Sequence, residues 1–145
     1  LGGGIPGAVG ARAANPDKAV VAVRGEGGSM NTIQALWTAA RHGYDVKAII
    51  CNNRSYRLLQ LNMTAFWEER GIAARQQPLP FDLSNPPLQF AAMAASYGVA
   101  SARVSLVEEI EPSIRRMLDH PGPFLLEVEL EGDVDPELVG VKCGQ

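Results

Sequence analysis

The sequence is poor in the side chains that soft-metal or nucleic-acid chemistry needs. Its 145 residues hold two cysteines, two histidines and 6% aromatics. Two histidines and the separated pair Cys51 and Cys143 cannot make the clustered ligand set of a zinc site. The better expectation for Cys51 and Cys143 is two reduced thiols in a cytoplasmic protein rather than a disulfide. There is no basic excess: 13 Lys and Arg stand against 16 Asp and Glu, a net charge of −3, which argues against nucleic acid as a partner. No apolar run approaches the ~18 residues of a membrane span. No signal peptide, internal repeat or low-complexity tract is visible in these residues.

Apolar material is present in ordinary amount, at 46% hydrophobic and 20% charged, and the length suits one domain. Continuous β-branched or aliphatic runs at residues 19–23, 46–51, 99–104 and 124–130 read as strands, the first of them buried on both faces. Between them lie helical patterns at 5–13, 32–42, 55–67, 87–96 and 105–118. Capping boxes are expected at Asn31 with Gln34 and at Ser105 with Glu108. Pro112 is expected to kink or restart the last helix. Residues 74–87 carry four prolines and read as a long loop of the kind that often serves as a lid. Strands alternating with helices predict an α/β fold, a parallel sheet with helices on both faces. The domain is expected over residues 1–130, with a polar tail at 131–145. The chain opens on Leu1 and a glycine run, so it is expected to be a piece of a larger assembly.

Ligands of open α/β sheets bind beyond the carboxyl ends of strands. Two such ends stand out. Gly25-Glu26-Gly27-Gly28 leads from a strand into a helix; its glycines let a phosphate approach the backbone, and N–H groups at a helix start favour an anion. Glu26 is itself an anion there, so a cation must sit between it and a phosphate. Mg²⁺ fits, because it takes carboxylate, carbonyl and phosphate oxygens. Asn52-Asn53 ends the next strand and offers an amide oxygen. Either motif alone is more often just a turn; the pair in this order is more specific.

Gly25-Glu26-Gly27, 24 intervening residues, then Asn52-Asn53 resembles the Gly-Asp-Gly to Asn-Asn signature of thiamine-diphosphate enzymes. Residues 32–40 (TIQALWTAA), 52–56 (NNRSY), 5–10 (IPGAVG), 87–90 and 96–99 are similar to the benzoylformate decarboxylase and acetolactate synthase group. The resemblance implies the thiamine-diphosphate-binding fold and a part in a 2-oxo acid decarboxylase or carboligase. It implies thiamine diphosphate and Mg²⁺ as cofactors, with the metal held by Glu26, Asn53 and the carbonyl of Ser55. The implied cofactor-binding set is Leu1, Gly25, Glu26, Gly27, Gly28, Asn53, Ser55 and Tyr56, with Leu1 supporting the bent cofactor and Leu58 near the substrate pocket. It further implies that the proton-relay glutamate sits on a separate pyrimidine-binding domain or subunit. No segment here matches that domain, so the chain is expected to be inactive alone and to form homo- or hetero-oligomers.

Two residues depart from the family's pattern. Glu26 stands for the usual Asp, and Arg24 for a small or apolar residue; Arg24 is expected to pair with a surface acid or else to neutralise phosphate. Two other readings compete. Gly2-x-Gly4-x-x-Gly7 with Glu26 following fits an NAD or FAD fingerprint, which requires a strand directly before it. A degenerate scaffold that lost the metal would also account for Glu26 and Arg24. Trp37 is expected in the core, His42 and His120 near helix ends, residues 67–70 at an exposed helix end, Cys51 packed, and the acidic run from Glu127 to Glu137 solvated.

Overall fold

The computed structural model describes residues 2–73 and 75–131. They fall into two compact units: residues 2–52 with 89–130, and residues 53–88 with Glu131. Leu1 with its expected cofactor contact, Ala74, and residues 132–145 with Cys143 and the expected polar tail lie outside the described residues.

The first unit contains α1 (Gly4–Ala14), β1 (Val20–Gly25), α2 (Glu26–Ser29), α3 (Ala35–His42) and β2 (Val46–Asn52). It continues with α5 (Phe90–Ser96), β3 (Ala100–Val104), α6 (Val107–Asp119) and β4 (Phe124–Glu129). All strand pairs are parallel, in the order β1-β2-β4-β3. Register partners in a parallel sheet point to the same face. Ala22, Ala48 and Leu125 therefore share one face, against which Ala8 and Val9 of α1 and Ala39 of α3 pack. On this face α5 joins β3 and β4, tied by the Ser101 hydroxyl donating to the Ala91 carbonyl at 2.8 Å. The other face carries Val104, Phe124, Leu126 and Val128 under Met117, Ile110 and Ile114 of α6. The fold is thus the expected α/β architecture with helices on both faces. Fully buried residues such as Leu36, Phe90, Phe124 and Leu126 each contribute about 1.5–3 kcal/mol through apolar burial.

The buried ammonium of Lys47 closes the amino end of the sheet. It pairs with Asp45 at 2.6 Å and donates to the carbonyls of His120 and Gly122, the latter at 2.8 Å. Those carbonyls follow α6, so the cation also sits where the helix dipole favours it.

Several local expectations need correction. β1 is an edge strand, and Val21 and Val23 are 44% and 60% exposed, because α6 packs over β3 and β4. The Asn31 amide donates to the Gly27 and Gly28 carbonyls at 3.3 Å each, so it finishes α2 instead of capping α3. Residues 31–34 are turns and α3 starts at Ala35. Leu106, not Ser105, is the residue before α6, and no side chain caps that helix. α6 runs unbroken through Pro112. Trp37 is half exposed, with Arg41 stacked over its ring at 5.2 Å; the buried stripe is Ile33, Leu36 and Ala39, and residue 37 falls to its side. Glu127 is fully buried, against the expectation of a solvated acidic run.

In the second unit α4 (Arg57–Glu69) precedes the proline-rich segment, which contains a 3-10 turn at Leu79–Phe81. The segment is not a free loop: Gln77 donates to the Thr64 hydroxyl at 3.1 Å.

Candidate functional site

β1 pairs in register with β2 as far as Gly25 opposite Cys51. The carboxyl ends of these two neighbouring strands therefore lie side by side, and Glu26 directly follows the first.

Glu26 opens a single helical turn and is 4% exposed. Gly25 before it is extended, at φ −77 and ψ 156. The Ser29 hydroxyl donates back to the Gly25 carbonyl at 2.9 Å, closing the turn. A side chain on Gly25 would meet only open space, and one on Gly28 would meet only the Arg24 guanidinium at 3.7 Å. The backbone here is thus approachable, as a phosphate cradle requires. Cys51, beside Gly25, has its thiol pushed above the ordinary value by burial and then by the negative charge of Glu26. Its expected packing is half met, since it is intermediate in exposure and free.

At the end of β2 the Asn52 side chain is 2% exposed. Its amide donates to Glu127 Oε1 at 2.7 Å, and its backbone carbonyl accepts from Leu130 N–H at 2.9 Å. Glu127 Oε2 accepts from the Ala91 N–H at 2.9 Å, supplying one of the acceptors that the start of α5 lacks within its own turn. One buried carboxylate on β4 thereby fixes the tip of β2 and the entry to α5. Composition hid this residue; the signal available was an acid in the middle of the apolar run PFLLEVEL.

Asn53 follows Asn52 in the chain. Within the second unit its side-chain oxygen accepts from the Ser55 N–H at 3.1 Å, which folds the Ser55 backbone beneath the Asn53 amide. Arg54 between them takes φ 60, a left-handed conformation unfavourable for a side chain with a Cβ. Neighbouring backbone holds it there: Leu83 N–H donates to the Arg54 carbonyl and Tyr56 N–H to the Phe81 carbonyl, each at 2.9 Å. Ser55 also bridges antiparallel to Asp82. The Asp82 carboxyl is held below its ordinary value, mainly by hydrogen bonding from Ser84, whose N–H donates to it at 2.8 Å. Leu58, in the first turn of α4, is 52% exposed.

Among the described residues, no group of three or more His, Cys, Asp or Glu could hold a metal. Glu26 offers a carboxylate, and Asn53 and the Ser55 backbone offer neutral oxygens, hard donors of the kind Mg²⁺ takes. Gly4 and Gly7, the second and third glycines of the dinucleotide alternative, lie inside α1.

A parallel α/β sheet with an open glycine turn at one strand end and a buried asparagine at the tip of the next is an arrangement that can take a phosphate-bearing ligand. Residues 1–128 match the family described as "Thiamine pyrophosphate enzyme, C-terminal TPP binding domain", and the chain belongs to that family. It is 39% identical over 132 residues to acetolactate synthase 2, chloroplastic, of Brassica napus, covering 88% of this chain and 20% of that protein. It is 30% identical over 133 residues to the acetolactate synthase isozyme 1 large subunit of Escherichia coli K12, covering 92% and 22%. Among solved structures it is similar to the Rhodococcus jostii RHA1 thiamine diphosphate-dependent 4-hydroxybenzoylformate decarboxylase. That match has a TM-score of 0.77 and 32% identity, over 92% of this chain and 24% of the other. The chain thus spans between a fifth and about a quarter of the length of the relatives it matches.

Proposed function

We propose that this chain supplies the diphosphate- and metal-binding part of a thiamine-diphosphate-dependent 2-oxo acid decarboxylase or carboligase. The observation that carries the reading is the buried Glu26 in an open glycine turn, one strand away from the Asn52-Asn53 pair, in a chain of this family. Mg²⁺ would be held by the Glu26 carboxylate, the Asn53 amide oxygen and the Ser55 carbonyl. The backbone of Gly25, Gly27 and Gly28 would receive the diphosphate. Leu1 and Tyr56 would contact the cofactor, and Leu58 would border the substrate. When bound, the cofactor supplies the carbon that adds to a 2-oxo acid and the electron sink for decarboxylation. The chain's own contribution is to hold and orient its charged end.

Glu26 is one methylene longer than the family's Asp. The short metal–oxygen distances of Mg²⁺, about 2.0–2.1 Å, require that side chain to fold back toward the turn. The relatives' greater length supports a separate pyrimidine-binding domain or subunit as partner in an oligomer. Release of CO₂ from 2-oxo acids is expected only when that partner is present. A cytoplasmic location belongs to the same proposal; no described helix is long and apolar enough to cross a membrane.

Isothermal titration tests the reading. Thiamine diphosphate with Mg²⁺ should bind, NAD should not, and Glu26→Gln should abolish the metal dependence. Failure of the unaltered chain to bind, with binding appearing in Glu26→Asp, would favour a scaffold that has lost its metal. NAD binding in place of thiamine diphosphate would refute the reading.

A further inference from the structure

The cradle contains one cation to which neither the fold nor the proposed ligand set gives a task. Arg24 lies one residue before Gly25, and its side chain crosses the start of α1 at Gly4. A methyl group on Gly4 would stand 2.3 Å from Nε, 2.6 Å from Cδ and 2.8 Å from Cζ of Arg24. Only a glycine there leaves the guanidinium where it is. The same group reaches to 3.7 Å from the place where a side chain on Gly28 would begin. The expected surface acid is absent: among the described residues no carboxylate pairs with Arg24. A planar fork of donors, held beside a glycine turn and not neutralised by an acid, suits phosphate oxygens.

We propose that Arg24 is a diphosphate-binding residue, placed by Gly4, so that the cradle holds its anion with a side-chain cation as well as a metal. This rests on the cradle reading above.

The test is titration of the full chain with inorganic pyrophosphate and Mg²⁺, and with thiamine diphosphate and Mg²⁺, comparing Arg24→Leu, Arg24→Lys and Gly4→Ala. Circular dichroism controls for folding. Arg24→Leu should weaken pyrophosphate roughly tenfold or more, as the loss of a hydrogen-bonded charge does. Arg24→Lys should retain part of the affinity. Gly4→Ala keeps the charge but displaces it, and should weaken binding too. Unchanged pyrophosphate affinity in Arg24→Leu overturns the proposal while leaving the cradle reading intact. If Arg24→Leu does not fold, unchanged affinity in Gly4→Ala overturns it. If the unaltered chain binds neither ligand, the cradle reading and this proposal fall together.

Discussion

Glu127 is the residue whose replacement has the most calculable outcome. Its two oxygens accept from Asn52 Nδ2 at 2.7 Å and Ala91 N–H at 2.9 Å, and the carboxylate is fully buried. Glu127→Leu leaves two enclosed donors without acceptors, each costing about 1–3 kcal/mol. A loss of about 2–6 kcal/mol is expected from the two together. In Glu127→Gln the oxygen can still serve Ala91, but the new NH₂ faces the NH₂ of Asn52. One mismatched contact predicts a loss of about 1–3 kcal/mol. Asn52→Asp alone opposes two carboxylates and should be at least as harmful. Combining Asn52→Asp with Glu127→Gln restores complementarity with the polarity reversed: the introduced amide donates to the introduced carboxylate, and the amide oxygen accepts from Ala91. Urea unfolding of the unaltered chain, the two single variants and the double variant, with unchanged slopes, gives the coupling energy. A favourable coupling of about 2–3 kcal/mol is expected, at the upper end for residues in contact. Simple additivity of the two single losses would show that the Asn52–Glu127 contact does not carry the stability assigned to it.

Three further outcomes follow from particular contacts. Lys47→Met removes the cation that joins Asp45, His120 and Gly122; denaturant titration should show a loss of about 2–4 kcal/mol, with pyrophosphate affinity unchanged. Burial and Glu26 raise the Cys51 thiol pKa, so in a Cys143→Ser background its iodoacetamide alkylation should reach half-maximal rate at a higher pH than a free thiol does, and Glu26→Gln should lower that midpoint. The depressed carboxyl of Asp82 binds its proton more weakly in the folded chain than in the unfolded one. Its contribution is therefore present above the ordinary value of 3.8 and lost as pH falls through the lower folded value; a carbon-detected titration should find the Asp82 midpoint below 3.8, and Asp82→Asn should remove that part of the acid sensitivity.

Much of the architecture was readable because buried parallel strands are written as unbroken aliphatic runs, as in AII and FLL. The ends of the runs at 19–23 and 46–51 located the Gly25-Glu26 turn and Asn52 at neighbouring strand ends. What stayed hidden depends on which neighbour arrives in three dimensions. The valines of β1 say nothing about whether a helix covers their outer face. Asn31 can accept at a helix start or donate at a helix end, and only the fold of 27–34 chooses. Glu127 looks like the start of an acidic tail until β4 is placed between β2 and β3. The left-handed Arg54 is stabilised by backbone hydrogen bonds exchanged with Phe81 and Leu83, a pairing that no local pattern announces. Arg24 could be flagged as unusual, but its dependence on Gly4 is a contact across 20 positions of sequence.

Among the described residues β1 has a sheet partner on one side only, with Val21 and Val23 uncovered on one face. A ribbon of that kind offers unused amides and carbonyls as a template to any extended chain. Handled by itself, this polypeptide should therefore zip edge to edge as its concentration rises, and Val23→Lys is the economical means of keeping preparations monodisperse without touching the glycine turn two residues on.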